Sequence, residues 1–133
     1  MPTAPIPPRV MEMLRHPNPA VITCMRGDGQ PVSVATWYLV DDDKILVNMD
    51  ESRKRLEYMR DDPRVTLTAL DEGNWYTHVS VQGQIVEMQD DEGLADIDRL
   101  SNHYTGHSYG TRDRRRVSAW IEVERWHGWG SVG

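Results

Sequence analysis

Along most of this chain apolar and polar positions alternate with period two, and in three places they shift to a helical period. The run AVITCM, residues 20–25, is rich in β-formers, and Gly27, Asp28 and Gly29 follow it with turn signals. VSVATWYLV (32–40) predicts a second strand, and the acidic turn Asp41–Asp43 leads into a third, ILVNM (45–49). Three strands joined by two tight connections predict an antiparallel meander. RVTLTAL (64–70) alternates cleanly, and WYTHVSVQGQIVEM (75–88) predicts a long strand with Gly83 as a bulge or bend. VSAWIEVERWHGWG (117–130) predicts the final strand.

The helical stretches are shorter. PRVMEMLRHP (8–17) sets Val10, Met11 and Leu14 on one face, and Pro17 and Pro19 stop it. SRKRLEYMRDD (52–62) predicts a helix with Ser52 as its N-cap, Leu56 and Met59 (with Tyr58) inward, and Pro63 at its close. A third helical pattern spans 89–106 and carries Leu94, Ile97, Leu100 and Tyr104. Connections this short leave no room for parallel βαβ units, and closing an antiparallel sheet removes its edges. The expected fold is mainly β (α+β), a six-stranded antiparallel barrel with a few short helices.

Composition narrows this picture. A length of 133 residues suits one domain, residues 1–133, and Pro2, Pro5, Pro7 and Pro8 make residues 1–9 an extended arm. The net charge of -6 argues against nucleic acid or anionic lipid as a partner. No window approaches the ~20 apolar residues of a membrane span, and the N-terminus has no apolar signal core, so a cytoplasmic protein is expected. The single cysteine, Cys24, excludes an internal disulfide and a Cys-rich metal motif. His103 and His107, four residues apart, form the only histidine pair with a metal-like spacing; no metal is expected. The acidic runs Asp41–Asp43 and Asp90–Glu92 read as solvated turns. No nucleophile elbow, P-loop or dinucleotide fingerprint occurs, so no catalytic residue is assigned and the hard chemistry is expected of a bound cofactor.

One cluster stands out against the acidic background. Arg53, Lys54 and Arg55 follow Asp50, Glu51 and Ser52 at the start of the second helical pattern. Cations there oppose the helix macrodipole and repel one another. Either the cluster is a solvated turn neutralised by Asp50 and Glu51, or it is a seat for an anion. A phosphate would gather free backbone amides, the Ser52 hydroxyl and the cations together.

In order, the strand segment GDGQPVSVATWYLVDDDKILVNM (27–49) followed by ESRKRLEYMRDDPRVTLTAL (51–70) resembles the pyridoxamine 5'-phosphate oxidase-like split β-barrel family. The resemblance runs over about residues 18–130, and the frame ending in DDPR is similar to the flavin/deazaflavin oxidoreductase B group, which uses coenzyme F420. It implies an FMN-binding split-barrel type of fold and a homodimer with cofactors in grooves between subunits. It implies phosphate binding by Ser52, Arg53, Lys54 and Arg55, with Arg55 in place of the family's usual Lys. It further implies that Ser33, Val34 and Trp37 line the ring, that Asn48 faces the same groove, and that Trp75 covers the cleft of the partner subunit. The loop Arg112, Arg114, Arg115 and Arg116 is either part of that cleft, meeting an acidic cofactor tail, or surface charge. The short chain and its VERWHGW ending depart from pyridoxamine oxidase proper and look more like the deazaflavin-dependent members. The implied function is a coenzyme F420-dependent reductase that passes a hydride to an enone, quinone or conjugated heterocycle. An FMN-dependent oxidoreductase and a non-catalytic F420 or FMN carrier are the alternatives.

Overall fold

A computed structural model describes residues 1–133. The chain runs α1 (Pro8–Leu14), β1 (Ala20–Met25), β2 (Pro31–Thr36), β3 (Leu39–Asp41), β4 (Lys44–Asp50), α2 (Lys54–Asp61), β5 (Arg64–Leu70), β6 (His78–Asp90), α3 (Ala95–Thr105) and β7 (Arg116–Trp129). Seven strands make one sheet in the order β2-β1-β5-β6-β7-β4-β3, and every pairing is antiparallel.

The expected six-stranded closed barrel is corrected in two respects. The sheet has seven strands, and no ladder joins its two edges, β2 and β3. The extra strand arises because the stretch 32–40 does not run straight: it breaks at Trp37 and Tyr38. Tyr38 is fully buried, donates its hydroxyl to the Leu14 carbonyl at 2.7 Å and accepts from the Asn18 amide at 3.0 Å. Those bonds hold it toward α1 and end the alternation of β2. Because only two residues separate the opposite edges of the sheet, it curls until they approach without pairing. The candidate site lies by the end of β2 and the second half of β4, which β3 leaves uncovered.

Inside the curl, Ile22, Leu67, Val79, Val81 and Ile121 are almost fully buried and meet Leu56 and Met59 from α2. Each such side chain contributes about 1.5–3 kcal/mol of burial, which outweighs the weak propensity of an eight-residue helix. A smaller cluster of Leu46, Ile97, Leu100 and Trp120 fixes α3 on the outer side of β4 and β7. The arm is extended at its start but not free: Ala4 donates to the Glu124 carbonyl at 3.0 Å, and Trp126 donates to the Pro2 carbonyl at 3.1 Å.

The acidic turns are not simply solvated. Asp41 accepts from the Trp120 indole at 2.8 Å, and Asp91 is buried, accepting from the Asp96 and Ile97 amides at 2.8 Å each. Asp91 therefore caps the first turn of α3, which leaves fewer amides exposed. No helix is long and apolar enough to cross a membrane.

Candidate cofactor site

Two cavities meet beside the end of β2 and the second half of β4. The larger, about 680 Å³, is walled by Trp37, Tyr104, Tyr109, Ile97, Leu100 and short side chains of the β1 and β2 ends. The smaller, about 470 Å³, is walled by Asp50, Ser52, Arg53, Arg55, Thr111 and Arg114. Tyr109, Arg55 and Arg116 line both, so one groove runs from an aromatic end to a cationic end.

The aromatic end is built by the break at Trp37. Its indole stacks on Tyr104 with centroids 5.3 Å apart and an interplanar angle of 14°, and Tyr109 meets it edge-on at 6.3 Å. Tyr104 donates its hydroxyl to the Asn18 carbonyl at 2.7 Å, and burial pushes its pKa up to about 12. It is thus a fixed, neutral wall rather than an acid ready to give up a proton.

At the cationic end the N-cap expectation is corrected. Arg53, not Ser52, is the N-cap of α2, and no side chain caps the helix. The Ser52 hydroxyl instead donates to Asp50 at 2.7 Å and takes no amide of the helix's first turn. Arg114 from the loop before β7 closes on the same carboxylate and reaches the Ser52 hydroxyl at 3.2 Å. Arg114, followed by the Ser52 amide and hydroxyl, holds the Asp50 carboxyl well below the usual carboxylate range.

That shift predicts an acid dependence. A depressed carboxylate contributes stability that is complete above its unfolded pKa, ~3.9, and is lost as pH falls through the lower folded value. The melting temperature of Asp50→Asn should lie below wild type by a constant gap from pH 5 to 8. Below about pH 4 that gap should narrow. Thermal melts of both proteins across pH 3–8 check this.

With Asp50 engaged by Arg114, the other cations of the groove have no carboxylate. Lys44, Arg55 and Arg116 are the half-buried cations of the chain, and only Lys44 has an ion-pair partner. Burial, with the neighbouring Arg53 and Arg116 cations, pushes the Arg55 pKa down. Exposed arginines are solvated at little cost, but a half-buried guanidinium beside two others is not. The donor set therefore fits an anion at this end and a flat ring against Trp37 at the other.

Of the residues singled out from the sequence, the groove gathers Trp37, Asn48, Ser52, Arg53 and Arg55. Ser33 and Val34 of β2 are not on its wall: Ser33 is exposed and shares a hydrogen bond with Thr23 at 2.7 Å, and Val34 packs against the main core. Lys54 is exposed on α2 outside both cavities, and Trp75 is 69% exposed in the turn between β5 and β6. Tyr104 was visible in the sequence only as an inward helical position. Tyr109 sits in a polar loop with no motif to mark it, and Arg116 is one of four arginines whose ion pairs are settled only by the folded chain.

The family is decided by the chain as a whole. The family model for pyridoxamine 5'-phosphate oxidase matches residues 6–130. The chain belongs to that family. No curated protein matches the sequence. Among solved structures, an F420 reductase is similar at 20% identity with a TM-score of 0.84, covering 92% of this chain and 98% of that one. A conserved hypothetical protein from Mycobacterium tuberculosis is similar at 21% identity and a TM-score of 0.68, over 96% of this chain and 86% of that one. An FAD-binding protein from Mesorhizobium loti is similar at 22% identity and a TM-score of 0.65, over 96% and 97%. These likenesses carry the fold of this pyridoxamine 5'-phosphate oxidase family member.

Proposed function

We propose that this family member is a coenzyme F420-dependent reductase acting on a small electrophilic molecule. The observation that carries the reading is the pair of half-buried arginines, Arg55 and Arg116, without carboxylates on the wall of an aromatic groove. The higher TM-score of the likeness to a protein named an F420 reductase supports the deazaflavin as the first reading. When bound, such a cofactor supplies a hydride from its reduced ring to an acceptor such as an enone, quinone or conjugated heterocycle. The likeness to an FAD-binding protein supports FMN or another flavin as the second reading.

The chain's own residues bind and orient. Arg53, Arg55 and Arg116 neutralise the phosphate end beside Ser52, with Lys54 adding to the field from the exposed side of α2. Trp37, Tyr104 and Tyr109 fix the plane of the ring and keep water from it. No histidine, cysteine or lysine lines the aromatic end, and the product's proton is assigned to solvent.

A homodimer completes the reading. The outer face of β2, β1, β5, β6 and β7 carries the aligned rows Ala35, Val21, Thr68, Ser80, His127 and Ser33, Thr23, Thr66, Gln82, Arg125. Only Arg125 in those rows is charged, in a chain where 27% of residues are. Thr23 with Ser33 and Thr68 with Ser80 pair their hydroxyls at 2.7 Å, which lowers the desolvation cost of covering them. Ala35 belongs to this face and to the groove wall, so a second copy seated there adjoins the groove. That arrangement gives Ser33 and the exposed Trp75 a role from the subunit boundary, whereas Val34 packs inward against the core.

The visible spectrum of purified protein incubated with F420 or FMN and then desalted identifies the retained ring. Oxidation of the reduced cofactor by a panel of quinones and enones then separates an enzyme from a carrier. Retention of neither ring would overturn the reading.

A further inference from the structure

We infer that Arg116 is the third arm of the anion seat, and that the buried Asn48 is a positioning residue that acts through it rather than by meeting the cofactor. The inference rests on the reading of the groove as a site for an anionic cofactor. Asn48 and Ser118 face each other across the β4–β7 ladder, two pairs away from Asp50 and Arg116. Asn48 is 7% exposed, and its side-chain amide is fully used: its nitrogen donates to Asp91 at 3.1 Å and to Ser118 at 3.0 Å. Its oxygen accepts from Arg116 Nε at 2.7 Å. Ser118 in turn donates to Asp96 at 2.7 Å, and Asp91 is itself fixed by the amides of the first turn of α3. A network satisfied at every member is rigid, so Asn48 has no free donor to turn toward a ligand.

What the network leaves free is the far end of Arg116. The guanidinium lies 4.8 Å from the centre of the Tyr109 ring, and one terminal nitrogen reaches the Tyr109 hydroxyl at 3.5 Å. The other terminal nitrogen has no protein partner. The carboxylates that stand nearby in sequence or in the ladder are engaged elsewhere: Asp50 holds Arg114, and Asp90 holds Arg115 at 2.7 Å. Held by Nε below and by an aromatic face beside it, Arg116 presents its terminal fork to the space it shares with Arg53 and Arg55. Bidentate donation from such a fork suits phosphate oxygens better than any single-point donor. Three guanidinium groups with no carboxylate of their own call for a ligand end carrying at least two negative charges. A terminal phosphate meets that need, as does a phosphodiester followed by carboxylates.

The test titrates wild type, Arg116→Gln, Asn48→Ala and the double variant. The probes are FMN against riboflavin, F420 against its phosphate-free riboside, and inorganic pyrophosphate as a probe with no ring. Arg116→Gln should weaken every phosphate-bearing probe by about 10- to 100-fold and leave the phosphate-free rings within about threefold of wild type. Asn48→Ala should show the same selectivity, and the double variant should be no weaker than Arg116→Gln alone. Additive losses would show that Asn48 acts independently, and equal losses for riboflavin and FMN would show a structural role; either overturns the inference. Where Asn48→Ala fails to fold, Asn48→Ser replaces it, and the selectivity of Arg116→Gln still decides the arginine. Should neither ring cofactor bind wild type while pyrophosphate binds and is lost with Arg116→Gln, the cofactor reading falls and the anion seat stands. Failure of all the phosphate-bearing probes to bind wild type overturns both.

Discussion

Replacing Arg53 and Arg55 together with alanine should lower affinity for the phosphate-bearing cofactor by about 100-fold or more, without lowering the melting temperature. The two halves of that expectation come from opposite sides of the same electrostatic balance. Each cation at the start of α2 opposes the macrodipole by about 0.3–1 kcal/mol, and neither side chain has a partner that offsets it. A charge-assisted bond to phosphate contributes about 1.5–3 kcal/mol each, which is the larger effect. Removing the cations therefore costs binding while relieving the free protein, and melting should hold or rise. Fluorescence titration and a thermal melt on the same sample check both. A large drop in melting temperature with unchanged affinity would mean that the arginines serve the fold.

Gly83→Ala should destabilise the protein by about 3 kcal/mol or more and disturb the sheet that carries the site. Gly83 sits where the β6–β7 register shifts, and a Cβ built there would lie 2.0 Å from the Glu122 carbonyl oxygen and 2.9 Å from its carbon. Both atoms are backbone within a long ladder, so neither yields as a side chain would. Relief requires the bulge to open, which breaks pairing between the two longest strands of the sheet. Chemical denaturation of wild type and variant measures the loss. A cost below about 1 kcal/mol would show that the bulge is soft.

Gly83 also marks what local pattern makes legible. A glycine inside a clean alternation signals close backbone approach, and the same logic placed β1, β5, β6, β7 and the inward pair Leu56 and Met59. The break at Trp37 and Tyr38 was hidden, because both residues suit a strand and the force that ends it comes from Leu14 and Asn18, some twenty residues away. Hence a sheet with seven strands and open edges stood where six and closure were expected. Ser52 illustrates a second limit: its hydroxyl is drawn to Asp50 and Arg114 rather than to the helix, and the Arg114 partner lies 62 residues away. The cationic cluster itself was legible because it violated a local rule without visible compensation. Arg116 carried no such signal, since only the fold shows that Asp50 and Asp90 are taken by Arg114 and Arg115.

The most direct measurement is a titration of the wild-type protein with F420 and FMN beside their phosphate-free ring forms. The account predicts saturable binding of at least one cofactor, at least about tenfold tighter when the phosphate is present. No saturable binding of either cofactor, or equal affinity with and without the phosphate, would contradict it.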